Sequence, residues 1–241
     1  MKNTLLLLLF AVCVSNGCGG AQHSKGTPGN QVEGSGVKAS ESRDVGEFTG
    51  VQVKTSGEVQ IQVGETQSVS IETDDNLLEL ITTEVADGTL VIASEQPFKT
   101  EVGLHVAITV PVLKALAING SANVEVKDVA GESFETEIQG SGDATVASTA
   151  EQIKIRLQGS GDATITGAAK NVEVDIKGSG NAKLFELAAD TAHVAIAGSG
   201  DADVQATQNL NVTIAGSGGV RYRGDPKVTE SIVGSGKVER E

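Results

Sequence analysis

Residues 153–204 read IKIRLQGSGDATITGAAKNVEVDIKGSGNAKLFELAADTAHVAIAGSGDADV. Gly-Ser-Gly recurs in this stretch at Gly159, Gly178 and Gly198, each time with apolar residues two, four and six positions before it. These are Ile153, Ile155 and Leu157, then Val172, Val174 and Ile176, then Ala192, Val194 and Ile196. Lys154, Arg156, Glu173, Asp175 and His193 fall between them. A strict period of two marks a strand with one buried face. The alternation resumes after each triplet, with Ala163 and Ile165, Ala182 and Leu184, and Ala202 and Val204 facing inward. Each unit therefore reads as strand, Gly-Ser-Gly corner, strand and second corner.

The pattern extends both ways. The leading glycines Gly120, Gly140, Gly159, Gly178, Gly198, Gly216 and Gly234 are spaced 20, 19, 19, 20, 18 and 18 residues apart. A near-constant period means one structural unit per repeat. A β-propeller blade needs about twice this length, and a leucine-rich repeat needs its own leucine and asparagine signature. The spacing predicts an all-β fold: a single-stranded right-handed β-helix, or solenoid, with coils of about 18–20 residues. Equivalent strands stack about 4.8 Å apart, so the coils from Gly120 to Gly234 span on the order of 30–35 Å. The pairs Gly140 and Gly142, Gly159 and Gly161, Gly178 and Gly180, and Gly198 and Gly200 are assigned structural roles, with positive φ permitting the corner. Composition agrees: with no Trp, one Tyr and five Phe, the core must be filled by Val, Ile, Leu and Ala, which suits a thin, regular cross-section.

Toward the N-terminus the pattern loosens. Thr55-Ser56-Gly57 sits where a corner belongs, between Val51 and Val53 on one side and Val59 and Ile61 on the other. Further strands are expected at 68–73, 89–93 and 105–110, with Asp74-Asp75-Asn76-Leu77 as a turn or a single helical turn. Irregular terminal coils are expected because end repeats cap a stack. The charged run Lys237 to Glu241 is expected to discourage end-to-end strand pairing.

Before the domain, Lys2 and the apolar run from Thr4 to Val14 have a signal-peptide layout, assigned to residues 1–17. The run is about half the roughly 20 residues that span a bilayer. Ser15-Asn16-Gly17-Cys18-Gly19 is read as a lipoprotein cleavage box with Cys18 as the lipidated residue, although Ser15 stands where a leucine is usual. The alternative is simple secretion with a free or oxidised thiol. Cys13 would leave with the signal, so no internal disulfide is expected. Residues 18–44, rich in Gly, Ser, Lys and Glu, read as a lipid-anchored flexible linker, and the Gly34-Ser35-Gly36 inside it as a chance match. The β-helix domain is placed at 45–241.

Several segments together carry a resemblance: Glu47 to Val53, Asp74 to Leu78, Asp87-Gly88-Thr89-Leu90, Val106 to Pro111 and the later GSG-D-A corners. They resemble the putative auto-transporter adhesin head GIN domain family over roughly residues 45–236. That resemblance implies a bacterial exported or lipid-anchored β-helix protein, and it says little about mechanism.

Chemistry could reside in the residue three after each corner glycine: Asn123, Asp143, Asp162, Asn181, Asp201, then Gly219 and Lys237. In a stack these form a ladder, with Asp143 and Asp162 about 5 Å apart, a separation compatible with a retaining glycosidase pair or a calcium site. The favoured reading is turn chemistry, each Asx side chain bonding a backbone N–H of its own corner. Metal at Asp143, Asp162 and Asp201 is the alternative, and calcium is the one cofactor considered, although it requires about six to eight oxygens. The serines at 121, 141, 160, 179, 199, 217 and 235 are read as corner residues, because His23, His105 and His193 show no triad spacing.

The formal charge of −14 argues against a nucleic-acid partner. The expectation is a noncatalytic lipoprotein of the bacterial outer membrane or cell surface, with the periplasm as the other location, whose β faces bind a glycan or a protein. Alternatives are a self-associating structural β-helix and, less favoured, a calcium-dependent polysaccharide-acting enzyme.

Overall fold

The computed structural model describes residues 31–241; the assigned signal peptide, Cys13 and Cys18 lie outside them. The N-terminal part contains β1 (Val32–Glu33), β2 (Lys38–Ser42), β3 (Gly50–Val53), β4 (Glu58–Val63), β5 (Ser68–Asp74), a 3-10 helix (Asp75–Leu80), β6 (Ile81–Ala86), β7 (Thr89–Ser94), β8 (Phe98–Lys99) and β9 (His105–Val110). The regular part runs through β10 (Ala115–Gly120), β11 (Asn123–Val129), β12 (Ser133–Gly140), β13 (Asp143–Ser148), β14 (Gln152–Gly159), β15 (Ala163–Gly178), β16 (Ala182–Gly198), β17 (Ala202–Gly216), β18 (Gly219–Arg223), β19 (Lys227–Gly234) and β20 (Lys237–Arg240).

These strands form the expected β-solenoid. The first face stacks β7, β3, β10, β12, β14, the second halves of β15, β16 and β17, and β19, all parallel. The second face stacks β9, β4, β11, β13, the first halves of β15, β16 and β17, then β18 and β20. At about 4.8 Å per step, nine stacked strands make each face roughly 40 Å long. The alternating residues meet inside. Ile118, Ile138, Leu157, Ile176, Ile196 and Ile214 form one such column, all buried.

One buried position in the neighbouring column breaks the apolar rule. Thr136 lies between Leu116 and Ile155, fully buried, with its hydroxyl unpartnered. Thr136→Val keeps the shape and removes the orphaned group, so it is expected to raise stability by about 1 kcal/mol in urea unfolding; a loss of stability would show that the hydroxyl has a partner.

Coil order along the stack departs from chain order. The coil β3–β4 lies between the coil β7–β9 and the coil β10–β11. The chain winds outward after β4, and residues 111–114 then return it to the free edge of β3, where the Lys114 N–H donates to the Thr49 carbonyl at 2.7 Å. Period-two patterning specifies strands and buried faces but carries no information on which coils are neighbours.

The N-terminal end is closed by antiparallel strands: β6 covers β7, β5 covers β9, and β2 covers β5. This corrects the linker boundary, since residues 31–44 include two strands and the ordered chain begins before residue 45. The low apolar content misled because this segment is held mainly by polar contacts. The Asp74 carboxylate is buried and accepts the Gly36 N–H at 2.6 Å, the Thr100 hydroxyl at 2.5 Å and the Glu101 N–H at 3.1 Å. Asn76 accepts the Ser35 N–H and donates to the Glu33 carbonyl, both at 2.9 Å, and Ser35 bonds Asp75. Gly34-Ser35-Gly36 is therefore a docking turn; a Cβ on Gly34 would lie 2.6 Å from the Asp74 carboxyl.

The Thr100 hydroxyl, against the opposing effect of burial and with help from backbone N–H groups, holds the Asp74 carboxyl below the usual carboxylate range. A depressed folded pKa contributes stability that is complete above the unfolded value of about 3.9 and is lost as pH falls through the folded value. Asp74→Asn is therefore expected to lower the melting temperature at pH 7 and to flatten its decline below about pH 4. An unchanged acid limb would remove Asp74 from this role.

Candidate functional site

The corners stack in register from Gly120, which opens a Gly-Ser-Ala triplet, through the Gly-Ser-Gly triplets at Gly140, Gly159, Gly178, Gly198 and Gly216 to Gly234. From Gly120 to Gly198 each leading-glycine carbonyl accepts two N–H groups from the next coil: Gly140 takes those of Ser160 and Gly161, at 2.9 and 3.2 Å, and Gly159 takes those of Ser179 and Gly180, while Gly216 takes that of Ser235. The second glycines are needed for contact rather than for φ. Gly142, Gly161, Gly180 and Gly200 are buried, and a Cβ on Gly161 would lie 2.0 Å from the Gly142 carbonyl oxygen. The serines between them are exposed and form a line along the corner.

Beside this corner the second face displays the predicted ladder, from Asn123 through Asp143, Asp162, Asn181 and Asp201 to Gly219 and Lys237, and the coil order extends it beyond Asn123 by Glu58 and His105. Its hydrogen bonds run between coils. Asp143 Oδ1 accepts the Asp162 N–H at 2.8 Å, Asp162 Oδ1 the Asn181 N–H at 2.9 Å, Asn181 Oδ1 the Asp201 N–H at 3.1 Å, and Asp201 Oδ1 the Gly219 N–H at 2.7 Å. Turn chemistry alone predicts that each side chain caps its own corner, and none of these four bonds does so. The solenoid rise brings the next coil's N–H within reach instead, so the Asx residues fasten coil to coil. Asn serves as well as Asp because only one carbonyl-type oxygen is used.

The second oxygens differ. Asp162 Oδ2 lies 2.8 Å from Lys183 Nζ. Burial pushes the Asp162 carboxyl up, but Lys183 and the Asn181 donors outweigh it, leaving the pKa below the usual value. Asp162→Ala orphans the Asn181 N–H and releases a half-exposed lysine, so a loss of about 1–2 kcal/mol is expected, most of it from the N–H. Asp162→Asn is expected to retain most of that stability; equal losses for both would assign the effect to the ion pair. Among the described residues no three His, Cys, Asp or Glu side chains converge to hold a metal ion.

A second outward column runs through Glu125, Thr145, Thr164, Lys183, Asp203, Arg221 and Glu239. Arg221 grips Asp203 through two hydrogen bonds of 2.8 and 2.7 Å. Phe185 lies against this column, with Arg223 4.1 Å and Arg221 5.6 Å from its ring centre. Sequence reading passed over Phe185. Period two places it outward, because Ala182 and Leu184 before it are buried and Lys183 between them is exposed. On the first face, Lys154 pairs with Glu173 and Arg156 with Glu135, so its charges alternate from coil to coil. His105 and His193 sit on different faces, bound to Glu58 and Asn211 respectively.

Residues 47–226 match the family model described as putative auto-transporter adhesin, head GIN domain. The chain belongs to this family. Three solved structures of low sequence identity share the fold. One described as a putative adhesin, from Bacteroides fragilis, is 22% identical, with a TM-score of 0.83 over 87% of this chain and 100% of that one. A structure from Parabacteroides distasonis, described as a putative lipid binding protein, is 24% identical, with a TM-score of 0.70 over 88% and 99% of the two chains. A putative adhesin from Parabacteroides merdae is 21% identical, with a TM-score of 0.70 over the same shares. No curated protein shows a significant match. Membership in this GIN family makes the chain adhesin-like, and no described helix is long and apolar enough to cross a membrane.

Proposed function

We propose that this GIN-domain chain is an exported lipoprotein, acylated at Cys18, whose second β face is a noncatalytic binding surface for a cell-surface glycan or protein. The observation that carries the binding surface is that face itself. Two outward polar columns, the Asx ladder and the column from Glu125 to Glu239, run side by side along a stack roughly 40 Å long. Its main-chain geometry is fixed by inter-coil bonds, so a partner meets a preorganised surface and little binding energy is spent on ordering it. The descriptions of related structures as adhesins support this reading.

Glycan and surface-protein arrays probed with the chain test it. Binding should be lost on Thr145→Arg plus Thr164→Arg and kept on Lys154→Glu plus Glu173→Lys, which alter the first face. Loss in both variants, or in neither, would refute the assignment to the second face. The anchor is tested separately by palmitate labelling, which Cys18→Ser should abolish; undiminished labelling would place the acyl group elsewhere or nowhere.

A further inference from the structure

The two ends of the stack are closed in different ways. Antiparallel strands cover the N-terminal end, whereas among the described residues no strand lies beyond β19 or β20. That last coil exposes two parallel edges side by side, of eight and four residues. An open parallel edge is a template for another strand. The coil also offers apolar material for such a contact: Val228, Ile232 and Val238 stand in core columns, below Leu210, Ile214 and Val220, with Ile232 exposed.

Two other core columns end differently. One runs Leu116, Thr136, Ile155, Val174, Val194, Val212 and then Glu230. Another runs Leu184, Val204, Tyr222 and then Arg240. Val212 and Val204 are buried, while Glu230 and Arg240 are exposed, with no coil over them among the described residues. Glu230 has no ion-pair or hydrogen-bond partner among the described residues, and Arg240 reaches the exposed Asp225 at 3.3 Å.

We infer that Glu230 and Arg240 are a built stop against end-to-end association: charges placed on core columns at the one coil where stacking would bury them. Covering Glu230 with an apolar coil would desolvate an unpaired carboxylate. Antiparallel pairing of β19 with its copy about Glu230, the register that sets Val228 against Ile232, would also oppose two Glu230 side chains, and like charges directly opposite repel. An outward charge leaves the buried columns of a stack apolar; these two do not.

Sedimentation equilibrium of the exported chain carrying Cys18→Ser, so that no acyl group contributes, tests the stop. This chain is expected to remain monomeric at the highest attainable concentration. Glu230→Val with Arg240→Val should associate at least roughly 100-fold more tightly. Ser231→Val adds apolar area to the same strand on the outward side and should leave the chain monomeric. If the double valine variant loses its β circular dichroism, Glu230→Thr, a residue this column already holds at Thr136, takes its place with the same expected direction. Association of the parent chain overturns the inference. So does a native-like Glu230 variant that stays monomeric, or association of Ser231→Val to the same degree.

Discussion

Gly178→Val is expected to destabilise the protein by about 3–6 kcal/mol, combining a strained backbone with overpacking. Gly178 holds φ at +136°, which a β-branched residue rarely adopts, and its Cβ would lie 2.3 Å from the Gly159 carbonyl oxygen. That oxygen is also the acceptor for the Ser179 and Gly180 N–H groups, so moving it costs two hydrogen bonds as well. Retreat by the side chain is impossible, because the clash is with backbone that is itself stacked on Gly140. Equilibrium urea unfolding measures the effect, with Ser179→Val as the exposed neighbour expected within about 0.5 kcal/mol of the parent. Similar losses at both positions would mean that the corner is not packed as described.

Phe134→Ala is expected to cost about 3–5 kcal/mol in the same assay. Phe134 is among the largest fully buried side chains, and the residues aligned with it in the next three coils shrink through Ile153 and Val172 to Ala192 before Leu210. Its neighbours are short branched side chains on hydrogen-bonded strands, so the void cannot collapse and the cavity contribution should lie near the upper end. Phe134→Leu should recover more than half of the loss. A cost below about 1 kcal/mol would show that the interior is loosely packed at this coil.

Sequence alone carried the architecture where each coil repeats the same physical requirement. Within Ile153 to Val204 the corner glycines and the inward residues flanking them follow from one period, whereas the register shifts after Thr164 and Leu184, with Leu187 and Ala189 turned inward, do not. Val45 to Val112 was legible as strands, and the stretches read at 68–73, 89–93 and 105–110 appear as β5, β7 and β9. Their spatial order was not legible, since the insertion of β3–β4 between later coils depends on edges that open only once the stack exists. Residues 31–44 were misread for a related reason: their polar side chains and backbone are satisfied by Asp74, Asp75, Asn76 and the edge of β5, about 30 to 40 residues away in sequence. The ladder residues Asp143, Asp162 and Asp201 were found by spacing, but their partners one coil away required the rise of the solenoid. Phe185 escaped because a single outward aromatic has no periodicity.

The central claim, one solenoid with Gly-Ser-Gly corners in register, is tested most directly by engineered disulfides on an outward column. Gln158 and Lys177 are exposed register partners on adjacent coils, and their Cα atoms should lie about 4.8 Å apart, within the range that a disulfide spans. In a chain with serine at positions 13 and 18, Gln158→Cys with Lys177→Cys should form an intramolecular bond on oxidation. Gln158→Cys with Ala197→Cys, two coils apart at roughly 10 Å, should not. Equal cross-linking of both pairs, or of neither, would contradict the register on which this account rests.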